Sequence, residues 1–143
     1  MISRAAPIFA VALAACVAGQ ATSGARAAPC EPGDQVLERS VLYLGRNIPG
    51  GDTVSDEDWR RFADSVVTPR FPDGLSVVGA AGQWRGRSGV VEREHTMLLI
   101  VLHQPDATSR MAVQEIADAY RRQFRQESVL RERSRVCARF SSQ

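Results

Sequence analysis

The sequence predicts an α+β sandwich: an antiparallel sheet of four strands with two helices on one of its faces. Three observations carry this. Two segments show apolar residues at helical spacing, they alternate with β-type segments in the order β-α-β-β-α-β, and the joint Thr68-Pro69-Arg70-Phe71-Pro72-Asp73-Gly74 forces a change of element. Two prolines bar helix at the residues before them, so the first helix stops there and the chain leaves extended. Asp73-Gly74 then turns it into a strand.

Residues 1–15 read as an export signal. Arg4 precedes an apolar run from Pro7 to Val17 that is too short to span a bilayer as a helix. Leu13-Ala14-Ala15-Cys16 is similar to the lipobox of bacterial lipoproteins, in which Cys16 is lipidated and begins the mature chain. Val17 in the next position then favours the outer membrane. The rival reading is cleavage after Ala25-Arg26-Ala27, which yields a plain secreted or periplasmic protein. Residues 16–29, rich in Ala, Gly, Ser and Thr, read as a flexible linker. A single domain occupies 30–143.

Of the 18 basic residues, two, Arg4 and Arg26, precede Cys30. The 16 that follow are all arginine, against 16 acidic residues, so the domain is nearly neutral and lacks the basic excess of a nucleic-acid footprint. Membrane contact is expected only through a lipid anchor.

Strand one is expected over Val36 to Arg46, followed by a loop with Pro49-Gly50-Gly51. Ser55 is an N-cap residue with Asp58 three positions on, and Trp59, Phe62, Ala63 and Val66 form the apolar stripe of the first helix. Leu75 to Ala81 is the second strand, Gly82 to Gly89 a turn, and Val90 to His103 the third and most apolar strand. Thr108 or Ser109 caps a second helix carrying Val113, Ile116, Ala117, Tyr120 and Phe124, which ends at Gln126-Glu127-Ser128. Val129 to Phe140 alternates as the fourth strand. This is the split β-α-β of ferredoxin-like folds. Its first and last strands are antiparallel neighbours, which sets Cys30 beside Cys137. Of the three cysteines, Cys16 is lipidated or removed with the signal, and the even count that remains in an exported chain points to the same disulfide, the alternative being two free thiols.

Several residue types invite a functional reading. Arg70 is either an anion-binding group on a rigid joint or the partner of Asp73 or Glu94. Gln83 and Trp84 sit in a Gly-flanked hairpin, where an aromatic either clamps a ligand or covers the sheet edge. Glu92 and Glu94 share a face about 7 Å apart, a workable acid/base separation and also a commonplace solvated pair. His95 and His103 lie about 26 Å apart along one strand and cannot share a metal. The span Gly79 to Gly89 lacks a Gly-Lys-Ser/Thr signature, so no phosphate loop, cofactor or nucleophile is indicated. Arg131, Arg133 and Arg135 repeat every second residue and are expected on the face the helices leave uncovered, either guarding an edge strand or meeting an acidic partner, a lipid head group or a second copy.

Tyr43-Leu44-Gly45-Arg46, Trp59, Thr68 to Leu75, Gly82-Gln83-Trp84, Glu92 to Glu94, Tyr120 and Phe124 to Val129 resemble a family of small exported bacterial proteins known only as a domain of unknown function. The resemblance implies an envelope protein with cysteines placed like Cys30 and Cys137, and brings no activity. The functional expectation is therefore a non-enzymatic module that binds an envelope protein or a small ligand. The alternative is an enzyme in which two units pack sheet to sheet as a homodimer around a pocket. Met97, Leu99 and Val101 on one parity of strand three suit such a dimer, whereas Arg93, His95 and His103 on the same parity do not suit its dry centre.

Overall fold

The computed structural model describes residues 29–141. The expected export signal, Cys16 and nearly all of the expected linker lie outside them. Strand β1 spans Gln35–Gly45, helix α1 Asp56–Phe62, strand β2 Ser76–Arg85, strand β3 Val91–His103, helix α2 Ala107–Gln123 and strand β4 Leu130–Ala138. The sheet order is β2-β3-β1-β4, antiparallel at every step, as the ferredoxin-like order requires.

Helix α1 begins as its sequence dictates. The Ser55 hydroxyl accepts the Asp58 N–H at 3.0 Å while the Asp58 carboxylate takes the Ser55 N–H, a reciprocal cap. At Ala63 the helix widens into a π-helical turn, Ala63–Val67, closed by the Thr68 N–H donating to the Ala63 carbonyl at 2.8 Å. The extra residue per turn moves the buried position from Val66 to Val67, which is why the expected stripe slips by one at its end. Gly74 adopts a φ of 152°, outside the range comfortable for other residues, so the turn after Asp73 is one that glycine alone enters without strain.

Two expectations need correcting. The cap of α2 is Asp106, whose carboxylate accepts the Ser109 N–H at 2.8 Å, and not Thr108 or Ser109. Asp106 follows Pro105 in an extended conformation, so its short acceptor sits one turn before the exposed N–H of Ser109. Strand β2 continues through Arg85, pairing Gln83 with Arg93 and Trp84 with Glu92, and the turn shrinks to the residues around Gly86–Gly89. Cross-strand hydrogen bonding extends the ladder through a segment whose glycines suggested a loop.

The core lies between the sheet and the helices. Leu42, Leu44, Leu99 and Val101 meet Trp59, Phe62, Val67, Val113, Ile116, Tyr120 and Phe124. Phe62 stands edge-on to Tyr120, with ring centroids 5.2 Å apart and planes at 83°. Met97, Leu99 and Val101 therefore serve the helical layer. The parity left open is instead Thr96, Leu98, Ile100 and Leu102, which pair with Gly45, Tyr43, Val41 and Arg39. Cys30 and Cys137 form a disulfide with Cα atoms 5.5 Å apart, as strand order and cysteine count had both indicated. It closes a span of 107 residues and ties the segment before β1 to the end of β4.

Candidate functional site

The open face of the sheet is hollow at one end, and the hollow follows from where side chains are missing. Gly45, Ala80 and Gly82 occupy neighbouring open-face positions on β1 and β2, and β3 runs between them. A Cβ at Gly82 would lie 3.0 Å from the Thr96 hydroxyl, and one at Gly45 would lie 2.5 Å from the Glu94 carboxylate. Small residues thus let Thr96 and Glu94 lean inward, leaving a cavity of about 580 Å³ rimmed by Tyr43, Trp84, Glu92, Leu98, Gln126 and Ser128 to Leu130.

Each wall has a mechanical cause. Glu94 accepts the Asn47 N–H at 3.2 Å, which draws its carboxylate across Gly45. The Gln126 amide donates to the Asn47 carbonyl at 2.7 Å, joining the chain after α2 to the same corner. Arg125, at φ 51°, makes the left-handed step that ends α2 and aims Gln126 there. Below the sheet the Tyr120 hydroxyl donates to the Gly45 carbonyl at 2.9 Å. Burial pushes that phenol well above its ordinary range. The hairpin tip is tied down by Arg87, whose Nε meets Glu127 at 2.7 Å. Trp84 packs beside Gly86 there and is 39% exposed, an aromatic on a paired strand and not on a mobile loop. Tyr43 donates to Glu132 at 2.9 Å, and that hydrogen bond holds its hydroxyl above the usual phenol range.

The expected site residues are thus separated. Trp84, Glu92 and Glu94 come together in the hollow. Gln83 borders it, but its pairing with Arg93 gives its side chain the opposite parity. Arg70 is remote: its Nε meets Glu115 of α2 at 3.1 Å and a second nitrogen donates to the Val66 carbonyl, so its partner is neither Asp73 nor Glu94. The helix folding back against the joint brings Glu115 closer than any carboxylate near in sequence.

The arginine stripe is on the other face from the one expected. Arg131, Arg133 and Arg135 pair across with Leu42, Ser40 and Glu38, all of the helix-facing parity. They remain exposed because β4 is an edge strand that projects past the helical layer. Opposite them, Leu130, Glu132, Ser134 and Val136 belong to the open face. His103 is buried and bonds Ser40 at 3.0 Å and the Gln104 carbonyl at 2.8 Å, so it serves the packing. Among the described residues no group of three or more His, Cys, Asp or Glu is placed to hold a metal, and no helix is long and apolar enough to cross a membrane.

Sequence reading missed Tyr43, Gly45 and Gln126 as parts of the hollow, and Glu38 with its partner Arg110 as neighbours of the arginine stripe. Tyr43, Gly45 and Gln126 did lie within the motifs of the family resemblance, but nothing in those motifs told that they meet in one cavity. Residues 39–140, nearly the whole of this architecture, match a single family. The chain belongs to the family described as "Protein of unknown function (DUF3574)". No curated protein matches it. Among solved structures the chain is similar in fold to a phage SAM lyase in complex with S-methyl-5'-thioadenosine, with a TM-score of 0.55 at 19% identity over 82% of this chain and 99% of that one. The same is true of a phage SAM lyase in its apo state, with a TM-score of 0.55 at 18% identity over 75% and 94%.

Proposed function

We propose that this DUF3574 chain is an exported binding module whose hollow takes a small organic cation with a flat, apolar body. One observation carries the reading: Glu92 and Glu94 stand in one cavity with the aromatic rings of Trp84 and Tyr43 and the apolar Leu98. Among the described residues neither Glu92 nor Glu94 has an ion pair, while most other acidic side chains around the sheet have found an arginine. A carboxylate beside an aromatic face attracts a soft cation by charge and by cation–π contact, and the rings cover its apolar part. The disulfide supports an oxidising compartment, and with it export. In the lipoprotein form the domain stands on the linker from Cys16 at the outer membrane.

Sulfonium nucleosides are the first probes, because they unite a cation with a flat base and because the structures of similar fold are SAM lyases, one of them holding S-methyl-5'-thioadenosine. The chain has two tryptophans, and Trp59 is buried while Trp84 lines the hollow. Titration of S-adenosylmethionine followed by tryptophan fluorescence should give a saturable change that Glu94→Gln abolishes, and calorimetry should show binding abolished by both Glu94→Gln and Trp84→Ala. Binding that survives both substitutions would remove the hollow from consideration. The uncharged S-methyl-5'-thioadenosine should bind more weakly, since it lacks the sulfonium.

A second reading has its own observation. Val78, Leu102 and Leu130 on the open face are 46%, 47% and 63% exposed, which is unusual for large apolar residues on one sheet. Two copies packing open face to open face would cover them and roof the hollow, the arrangement of a dimeric α+β-barrel enzyme. Light scattering separates the two: a monomer at micromolar concentration leaves the hollow to a single chain.

A further inference from the structure

At the opposite end of the sheet, on the helix-facing side, four charged residues from three elements converge. Glu38 of β1 is 2% exposed, and its carboxylate accepts Nε of Arg110 at 3.2 and 3.1 Å and Nη2 at 2.9 Å. Arg133 brings its Nε to 3.8 Å from the same carboxylate, and Arg135 is the cross-strand partner of Glu38. Together with Ser134 these residues line a cavity of about 190 Å³.

The charges do not balance. Three guanidinium groups face the one carboxylate that lines the cavity, and with Asp106 acting on Arg110 from beside it at least one positive charge is left over. Among the described residues Arg135 has no ion pair, and Nη1 of Arg110 and both terminal nitrogens of Arg133 donate to nothing. Glu38 and the Pro105 carbonyl fix the Arg110 fork, so that donor loses little freedom on binding, while β4 only sets Arg133 and Arg135 side by side along one face. Surplus guanidinium N–H groups around a small polar cavity match an oxyanion that can take several charge-assisted hydrogen bonds at once. The volume admits one such group with a few waters.

We propose that the cavity among Arg110, Arg133 and Arg135 binds a phosphate group, supplied by a small soluble phosphate or by a lipid head group. Arg131 is not part of it, since its cross-strand partner is Leu42 and it does not line the cavity. That asymmetry gives the site its test, because a surface attracting anions by net charge alone treats the three arginines alike.

Inorganic phosphate is titrated into the full-length chain at constant ionic strength, with chloride as control, and the arginine Nε–H resonances are followed by NMR. A saturable shift at Arg133 and Arg135 with phosphate alone is expected. Arg135→Gln and Arg133→Gln, both on exposed side chains, should each weaken it by tenfold or more, and Arg131→Gln should leave it unchanged. A parallel arm measures co-sedimentation with phosphatidylglycerol vesicles against phosphatidylcholine vesicles. Vesicle binding lost in Arg135→Gln but kept in Arg131→Gln identifies a head group as the source, and binding to inorganic phosphate alone identifies a soluble one. Absence of saturable binding in both arms overturns the proposal, as does equal weakening by all three substitutions.

Discussion

Replacing Gly45 with alanine tests how the hollow is built. The β1 backbone at Gly45 has an ordinary φ, so a methyl group there brings no backbone strain. Its cost comes wholly from Glu94, whose two carboxylate oxygens would both lie 2.5 Å from the new Cβ. The carboxylate must swing out, giving up the Asn47 N–H at 3.2 Å. A hydrogen bond to a charged acceptor contributes about 1.5–3 kcal/mol, with the lower end apt for a half-buried group. Against this, losing glycine's freedom in the unfolded chain stabilises by about 0.4–1 kcal/mol. The net expectation for Gly45→Ala is a loss of about 1 kcal/mol, a fall in Tm of roughly 4 °C for a domain of this size. In a Glu94→Ala background the methyl group meets no carboxylate, and the same substitution should be neutral or stabilising. Urea denaturation of the four proteins of the cycle, with the disulfide intact, gives the coupling, expected at about 1.5–2.5 kcal/mol. Effects that add to within about 0.5 kcal/mol would show that Glu94 does not rest on Gly45, and the account of the cavity would fall with it.

Other outcomes follow from single contacts. Phe62→Ala, which empties the aromatic centre of the core, should cost about 3–5 kcal/mol by chemical denaturation. Gly74→Val should cost more than about 1 kcal/mol, because a β-branched residue is strained at the observed φ of 152°; an unchanged Tm would contradict this. Opening the Cys30–Cys137 bond by Cys30→Ser with Cys137→Ser should lower stability by about 2–4 kcal/mol, and adding reductant to the unsubstituted protein should reproduce the effect. The Ser55 hydrogen bonds, aided by Arg61, hold the Asp58 carboxyl down at about 2 from an ordinary 3.8. A folded value below the unfolded one means that its contribution is complete above about pH 4 and is lost as pH falls toward 2. Protection of the amides at the start of α1, measured relative to the intrinsic exchange rate at each pH, should fall over that window, and Asp58→Asn should remove the dependence.

The order of elements was legible in the sequence because each rests on local chemistry. The period of Trp59 and Phe62, the Ser55–Asp58 cap, the two prolines at the joint and the alternation around Arg131 to Arg135 act over a few residues and need no partner. The disulfide was legible for a similar reason, since strand order alone carries both ends of the domain to one place. Sequence periodicity could tell that Arg131, Arg133 and Arg135 share a face, but not which face. That depends on the direction from which the helices cover the sheet, and burial alone misleads at an edge strand, where both faces are wet. The partner of Arg70 and the meeting of Glu38 with Arg110, 72 residues apart, were beyond local reading. So was the hollow, which consists of absent side chains at Gly45 and Gly82 lined up by a register of three strands. Local propensity acts through a residue's own neighbours in the chain, whereas a cavity or a charge surplus exists only once distant residues have been counted together in space.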